Sequence, residues 1–375
     1  MKSSPVKWPV YAKLSIVTIG MLAFFFILYI GKEIIVPLIF SIIIAILLNP
    51  IVNFLCKKKI NRILAITLAV VTAFVILASI AFLIITQIST LNDSIPLLKE
   101  KLTGMFDESI IWISNNMNIS HSKIKGWIND TKSQSINNIS TVLGSALLGI
   151  GGTVVIIFLM PVYIFMILFY KPLLLEFISK LFTNDKQAVV SEVLVETKSL
   201  VQSYLIGLLL QAAIIATMHT LGLLMLGIQY AVLFGILGAL LNFIPYIGGI
   251  VATILPMLIA IATKSPIYAL WVFVLYSVVQ LIDNNYIVPK IVASKVKVNA
   301  LVSILVVIIG GALWGISGMF LAIPLTALVK VVFDRVEPLK PFGFLIGDNQ
   351  TEIVKELLLT IKPKKKTSSD KDLPS

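Results

Sequence analysis

The sequence predicts an all-α polytopic membrane protein with about six full transmembrane helices, two inverted re-entrant helical hairpins and a helical extramembrane insertion. Three observations lead to this class. First, 58% of the 375 residues are hydrophobic and only 13% are charged, whereas soluble domains have about 25% charged residues. Second, the apolar residues come in unbroken runs, and not in the alternation of a membrane β-barrel. Third, two of these runs are interrupted near the middle by glycine and proline.

The net charge of +12 does not indicate a nucleic-acid partner. The basic residues form short clusters beside apolar runs, as in the cytoplasmic loops of membrane proteins, and they form no basic domain. The mean hydropathy of +1.01 excludes a cytosolic enzyme, a secreted domain and a disordered chain. The expected partner is therefore the lipid bilayer, and no nucleic acid is expected to bind.

The N-terminal region, residues 1–86, contains three apolar runs that we interpret as transmembrane helices. They cover residues 14–30, 34–55 and 63–86. The first run is too long for the apolar part of a signal peptide, and no small-residue cleavage site follows it. We therefore expect this region to stay in the membrane.

Residues 87–140 differ from their surroundings because they are polar and rich in Asn, Ser, Lys and Asp. Their apolar residues keep roughly helical spacing, so we predict a helical extramembrane insertion. The region 141–198 follows, with a fourth transmembrane helix over 142–170 and a polar, helical cytoplasmic linker.

The region 199–335 is the predicted transport core, because one arrangement occurs there twice. An ordinary span, over 200–226 or 267–288, precedes a longer apolar stretch with a break. The first stretch, 230–262, has 33 residues and would be about 50 Å long as one helix. The hydrocarbon core is only about 30 Å thick.

The two breaks fall at residues 242–249 and 310–318, and the second lies within the apolar stretch 301–329. We predict that each broken stretch is a hairpin that enters and leaves the membrane on one side. Interrupted segments at matching positions of two repeats indicate the binding site of a secondary transporter.

The distribution of Lys and Arg predicts the orientation. With the N-terminus and the tail, 336–375, in the cytoplasm, 23 of the 30 basic residues lie on the cytoplasmic side, as the positive-inside rule requires. The first hairpin then enters from outside and the second from inside. Inverted repeats of this kind permit alternating access.

Asp283 is the only acidic residue in the 137 residues from 197 to 333. A carboxylate within a membrane is costly, and its presence favours a functional role. Four polar side chains form a stripe on this otherwise apolar helix: Tyr276, Gln280, Asp283 and Asn284. We interpret the stripe as part of a substrate or ion pathway, with Asp283 as the candidate Na⁺ ligand. The alternative is that Asp283 only pairs with Lys290 or Lys295 at the membrane edge.

The hairpin tips are the second candidate for the pathway. Unwound backbone inside a membrane is tolerated where it lines a cavity, and its free carbonyls can bind a cation. The tip residues that we expect at the pathway are Asn242, Pro245, Gly248, Gly310, Gly311, Gly315 and Gly318. The alternative for the second tip is helix packing, because Gly311-x-x-x-Gly315 is a small-xxx-small motif.

Tyr204 and Gln211 share one face of the fifth span. They either line the same cavity or form hydrogen bonds between helices, and we favour the second interpretation. The sequence contains no HExxH, P-loop or Cys/His cluster, so we expect no cofactor apart from Na⁺ or H⁺ as a coupling ion.

An enzyme is the hypothesis from another class. Residues 315–318, GISG, are similar to the GxSG motif of rhomboid intramembrane serine proteases, and His219 would be the base for Ser317. In rhomboids the histidine follows the serine, whereas His219 precedes it here. We therefore expect no enzyme and interpret His219 as a residue of the membrane interface. A non-transport membrane scaffold is the remaining class.

Three sequence segments in the C-terminal half are more specific to one protein family than any of these patterns. They are LNFIPYIGG (241–249), QLIDNNYIVPKIVASKV (280–296) and IGGALWGISGMFLAIPLTA (309–327). They resemble the signature of the autoinducer-2 exporter family, also called PerM-type permeases. The order of N-terminal spans, polar insertion and motif-rich half agrees with this family as well.

The resemblance implies a multi-pass protein of the inner (cytoplasmic) membrane that forms a homo-oligomer. Members are credited with export of the quorum-sensing furanone autoinducer-2, and others with sodium/proton antiport. The function expected is therefore a secondary transporter, a permease or exporter of a small polar solute such as autoinducer-2, with Na⁺ or H⁺ as candidate coupling ion. A sodium/proton antiporter is the alternative.

Overall fold

The structure is a computed structural model, and it describes residues 9–117, 159–183, 187–244, 247–292 and 298–348. Within these ranges the chain is almost entirely helical, which confirms the predicted all-α polytopic class. The predictions for most of the fourth span and for the second half of the polar insertion lie outside the described residues.

The helices of the described ranges are numbered here along the chain. In chain order they are α1 (Val10–Ile30), α2 (Lys32–Lys57), α3 (Arg62–Met117), α4 (Leu159–Phe169), α5 (Lys171–Lys180), α6 (Gln187–Met225), α7 (Ala231–Leu241), α8 (Ile247–Thr263), α9 (Pro266–Ile282), a π-helix (Asp283–Val292), α10 (Ala300–Arg335), a 3₁₀-helix (Glu337–Leu339) and α11 (Lys340–Ile346).

Six helical segments of the described ranges are long and apolar enough to cross a membrane. They are α1, α2, the first part of α3 (Arg62–Leu91), α6, α9 with the π-helix, and α10. The pair α4 and α5 would be a seventh, bent by 62°. Apolar side chains of α1 are exposed along its whole length, as expected for a helix that faces lipid.

α3 runs without a break through the predicted third span and into the predicted insertion. It has 56 residues, and only its first 30 residues are apolar enough to span a membrane. The first half of the insertion is therefore a helical extension of that span. The domain boundaries themselves stay a prediction.

α7 and α8 form a helical hairpin, and the start of α7 lies close to the end of α8. Lys264, just after α8, donates from Nζ to the carbonyl of Leu226, just before α7, at 2.7 Å. At the turn, a Cβ on Gly248 would lie 1.8 Å from the carbonyl oxygen of Leu241. Only glycine allows the two arms to approach so closely at this turn.

α10 is also a hairpin, because the chain reverses at Gly315. That residue has φ 62° and ψ −142°, which is a conformation that side chains with a Cβ rarely adopt. A Cβ on Gly310 would lie 2.5 Å from the carbonyl oxygen of Gly318, although eight residues of straight helix span about 12 Å. The two arms, residues 300–314 and 316–335, therefore pack against each other.

The two hairpins open toward opposite ends of α6. Arg335, at the end of the second hairpin, forms an ion pair with Glu196 near the start of α6. Leu226, at the open end of the first hairpin, directly follows α6. The hairpins are thus inverted relative to each other. Their re-entry into a membrane stays a prediction.

The basic loops meet at one end of the molecule. Lys171 donates from Nζ to Oδ1 of Asn49 at 2.9 Å, and Arg62 donates from Nη2 to the carbonyl of Leu168 at 2.9 Å. These contacts place α2 and the start of α3 beside the bend between α4 and α5, at the end predicted to be cytoplasmic. Which side of a membrane this end faces stays a prediction.

Candidate ion and solute site

Asp283 lies where α9 widens into the π-helix. The sequence predicted that this span ends at Pro289, but the helical winding continues past Pro289 to Val292. Proline lacks an N–H and its ring clashes with the carbonyl of the preceding turn, so a wider winding suits it. The Asp283 side chain turns inward, and only 1% of the residue surface is exposed.

Two side-chain amides hold the carboxylate. Gln211 of α6 donates from Nε2 to both oxygens of Asp283, at 2.9 and 3.0 Å. Asn242, at the tip of the first hairpin, donates from Nδ2 to Oδ2 at 2.7 Å. The structure therefore joins the two predicted candidates, the intramembrane acid and the first hairpin tip.

Close backbone packing between the helices allows the two amides to reach the Asp283 carboxylate. A Cβ on Gly207 of α6 would lie 2.7 Å from the carbonyl oxygen of Ile291, in the π-helix. A Cβ on Gly235 of α7 would lie 2.8 Å from the carbonyl oxygen of Ala216. Larger residues at these positions would separate the helices that carry the two amides and the carboxylate.

No basic side chain neutralises the carboxylate in the part of the chain that the structure describes. Lys290, one partner considered from the sequence, is exposed, and its Nζ lies 5.8 Å from the centre of the Tyr286 ring. Lys295, the other partner, lies outside the described residues. The pairing of Asp283 with Lys290 is therefore not what the structure shows.

Tyr276 and His219 form a buried pair next to this site. Their rings stack with centroids 4.0 Å apart, and Tyr276 donates from its hydroxyl to the carbonyl of Phe234 at 3.3 Å. His219 is only 5% exposed and lies against Gly238. The ring is therefore packed between helices, where the absent side chain of Gly238 leaves space for it, and its depth relative to the membrane interface stays a prediction.

The other residues of the polar stripe point away from the carboxylate. Gln280 donates from Nε2 to Oδ1 of Asn284 at 3.1 Å, and its Oε1 lies beside Gly249 at the hairpin tip. Asn284 is exposed. Pro245, a predicted tip residue, lies outside the described residues.

The glycines of the second tip serve the packing of their own hairpin. Gly310 and Gly318 contact each other, and Gly311 lies against Met319. Trp314 donates from Nε1 to the carbonyl of Leu28 in α1 at 2.9 Å. None of the contacts described for these glycines reaches Asp283, so the structure does not bring the second tip to the carboxylate.

An aromatic contact links the two hairpins next to the site. The ring of Phe243, which follows Asn242, meets the ring of Phe320 edge-on with centroids 5.6 Å apart. Phe320 also stacks on Phe40 of α2 at 5.7 Å. The first tip is therefore connected to both α10 and α2.

The arrangement can bind one small cation. Asp283 supplies a carboxylate, and rotation of the Asn242 and Gln211 amides would present their carbonyl oxygens. Oxygen ligands suit hard cations. The described residues hold no cluster of three or more His, Cys, Asp or Glu, so the site within them has a single acidic ligand. For Gln211 the sequence left open a place in the cavity or a hydrogen bond between helices and favoured the second, and the structure shows such a bond, with Asp283 as its acceptor.

The protease geometry does not form in the described structure. No hydrogen bond joins Ser317 to His219 among the described residues, and His219 instead stacks on Tyr276 of α9. A serine nucleophile needs its base within hydrogen-bond reach.

Comparisons with known proteins identify the family to which the chain is similar. A family model described as AI-2E family transporter matches residues 18–337. The chain is 24% identical over 318 residues to a protein named "Putative transport protein YhhT" from Escherichia coli (strain K12), which covers 84% of this chain and 89% of that protein. YrrI of Bacillus subtilis (strain 168), with the same description, is 28% identical over 80% of this chain and 86% of its own length. The AI-2 transport protein TqsA of Escherichia coli (strain K12) is 23% identical over 86% of this chain and 92% of its own length.

Proposed function

This chain belongs to the AI-2E transporter family, and we propose that it is a secondary transporter of a small polar solute in which Asp283 binds the coupling cation. The family and its relatives are transport proteins, which supports a membrane transporter and argues against an enzyme. The single observation that carries the finer proposal is the buried carboxylate of Asp283 between two helix-borne amides.

The chemistry of burial supports the cation. An ionised carboxylate out of water is very costly unless it is paired or well hydrogen-bonded. Gln211 and Asn242 supply three hydrogen bonds but no positive charge. A proton or a sodium ion at Asp283 would complete the neutralisation and would make the site responsive to an ion gradient.

The hairpin geometry supports transport through this site. Asn242 belongs to the tip of the α7–α8 hairpin, so a movement of this tip changes the surroundings of Asp283 directly. Inverted repeats around a site near the membrane midplane are the arrangement used for alternating access. The second hairpin contacts the first through Phe243 and Phe320, so each can respond to the other.

The solute is proposed from the relatives. TqsA is named an AI-2 transport protein, and autoinducer-2 is a small polar molecule that amide and hydroxyl groups can bind. We propose the same solute class for this chain. Location in the cytoplasmic membrane with both termini inside, and assembly into a homo-oligomer, are further parts of the proposal.

A sodium/proton antiporter is the second candidate, and one observation favours it. Asp283 is the one acidic residue between residues 197 and 333, so the two cations would compete for the same carboxylate. In that case sodium and protons would exchange without any organic solute.

The test uses purified protein in proteoliposomes with an imposed sodium or pH gradient. We expect the wild type to move autoinducer-2 under one of these gradients, and Asp283→Asn to reduce the coupled flux to the level of empty liposomes. Glu33→Gln, which neutralises an exposed carboxylate at the start of α2, is the matched control and should keep the flux.

The outcomes separate the hypotheses. Sodium uptake that expels protons without autoinducer-2 would identify the antiporter. Full coupled flux in Asp283→Asn would remove Asp283 from the coupling mechanism. No flux of solute or cation in the wild type would favour the scaffold class.

A further inference from the structure

A large cleft lies near the N-terminal part of α6, at the end of the molecule where Asn49, Arg62 and Lys171 meet. The open end of the first hairpin lies at the other end of α6. The cleft consists of two adjoining cavities of about 580 and 350 Å³. Both are lined by Asn49, Leu168, Lys171 and Leu175, so they form one cleft with two chambers. Cavities of this size hold small-molecule ligands in other proteins.

Three basic side chains surround the shared wall of the cleft. Lys171 lines both chambers, Lys198 lines the larger one and Arg62 lines the smaller one. Arg62 and Lys198 are close enough to Lys171 to act on it electrostatically. None of the described residues that line either chamber is acidic. The charge of the cleft is therefore suited to an anion.

Asn49 gives the cleft a buried donor without a partner. The residue is only 6% exposed, and its Oδ1 accepts the hydrogen bond from Lys171. Its Nδ2 is buried and has no hydrogen-bond partner. Buried amide N–H groups almost always have acceptors, so the wall of the cleft has a place for an oxygen atom. Arg62 uses one of its five N–H donors on Leu168.

The larger chamber is mostly apolar beyond this basic wall, with Ser179, Gln187, Ser191 and Thr197 as its other polar side chains. Side chains of α2, α4 and α6 line it, with Ile42, Ile46, Ile167, Leu194 and Val195 among them. A small hydrophilic anion would leave this space unfilled. A ligand with an anionic head and a hydrocarbon tail would use both chambers.

We propose that this cleft binds an anionic phospholipid, with the phosphate at Arg62, Lys171, Lys198 and Asn49 and an acyl chain in the larger chamber. Arg and Lys donate charge-assisted hydrogen bonds to phosphate oxygens. Basic pockets between membrane helices on the cytoplasmic side bind lipid headgroups by this chemistry. The site is separate from Asp283, and it joins α2, α3, α4, α5 and α6 at one place.

The test measures lipid binding to purified full-length protein in detergent, by native mass spectrometry and by the shift of the unfolding temperature. The probes are phosphatidylglycerol, phosphatidylcholine with the same acyl chains, and inorganic phosphate. We expect phosphatidylglycerol to bind and raise the unfolding temperature, and the other two to have little effect.

The variant Arg62→Gln/Lys171→Gln/Lys198→Gln should weaken phosphatidylglycerol binding about a hundredfold, since each basic group contributes about fivefold. The matched control is Lys57→Gln/Lys58→Gln/Lys59→Gln, which removes three exposed charges from the neighbouring loop. This control should bind like the wild type. If the first variant does not fold, Lys198→Gln alone, at an exposed position, should still weaken binding about fivefold.

Three results would overturn the proposal. Equal binding of phosphatidylcholine would show that the headgroup charge is not recognised. An equal rise of the unfolding temperature with inorganic phosphate would identify a free anion as the ligand. If both triple variants lost phosphatidylglycerol binding equally, the net charge of the surface, and not this cleft, would determine the binding. None of these results bears on flux through Asp283.

Discussion

The Asn242 amide and the Asp283 carboxylate are joined by a 2.7 Å hydrogen bond. Asn242 lies at the tip of a helical hairpin, whereas Asp283 lies at the end of a separate membrane helix. The position of the tip and the environment of the acid are therefore linked by one contact. A cation that binds Asp283 competes with Asn242 for the same oxygen atom or recruits its carbonyl group.

Replacement of Asn242 by Ala should tighten proton binding at Asp283, because the amide donates its hydrogen bond to the carboxylate and so stabilises the ionised form. A hydrogen bond to a charged group contributes about 1.5–3 kcal/mol, so we expect the proton dependence of flux to shift by about tenfold or more toward lower proton concentration. The measurement is the flux into proteoliposomes as a function of cation concentration. Asn285→Ala is the control, because the Asn285 amide donates only to the carbonyl of Leu281 on an exposed surface. An equal shift in both variants would contradict a specific role for Asn242.

Substitutions at two adjacent glycines should have different effects. In Gly248→Ala the new methyl group would meet the backbone of Leu241 at 1.8 Å, whereas in Gly249→Ala it would meet the flexible end of Gln280 at 2.8 Å. We expect Gly248→Ala to open the hairpin tip and to abolish transport while membrane insertion stays intact, and Gly249→Ala to keep most of the transport. Both variants are compared at equal membrane abundance, and full transport by Gly248→Ala would show that the tip tolerates a wider turn.

Gly315→Ala should destabilise the second hairpin through its backbone conformation alone. The space around Gly315 is open, but its φ of 62° disfavours a residue with a Cβ. A strained backbone of this kind costs about 1–3 kcal/mol, so the unfolding temperature in detergent should fall. Gly20 in α1 also has open space around it but has an ordinary φ. The variant Gly20→Ala should therefore keep or raise the unfolding temperature. A fall of the same size in both variants would refute the backbone explanation.

The orientation can be tested with single cysteines on a Cys56→Ser background. Lys58 and Glu337 lie at the basic end, and Lys264 lies at the other end near Leu226; all three are exposed. An impermeant thiol reagent added to whole cells should label Lys264→Cys, and should label Lys58→Cys and Glu337→Cys only after permeabilisation. The reverse pattern would invert the orientation. Labelling of Lys58→Cys together with Lys264→Cys from outside would contradict their placement at opposite ends.

The sequence predicted much of the site because the important side chains are rare in their surroundings. Asp283 has no other acidic residue near it in the sequence, and Asn242 is the polar residue of a Gly/Pro break. Gln211 was harder to assign, because a glutamine in a membrane helix can bond to any neighbouring helix. Its partner depends on the register between α6 and the π-helix, which the contact of Gly207 with Ile291 sets.

The features that the sequence did not predict depend on tertiary packing. His219 is buried because a glycine of another helix, Gly238, leaves room for its ring. The widened turn after Asp283 depends on how Pro289 is accommodated, and a proline is more often the end of a helix. The glycines of the second tip have the composition of either a site or a packing motif, and the contacts between the two arms of α10 are visible only in the structure; their place at the pathway stays a prediction.

The ring contact between Phe243 and Phe320 has a mechanical consequence. Asp283 is 1% exposed, and the residue after its Asn242 partner is wedged against Phe320, which itself rests on Phe40. Under the proposed function, a cation at Asp283 would therefore be enclosed by packed side chains. In the proposed mechanism, movement of the first hairpin tip would require the ring of Phe243 to separate from the ring of Phe320. The energy barrier to that separation would then limit the rate of cation release, in addition to the affinity of the carboxylate.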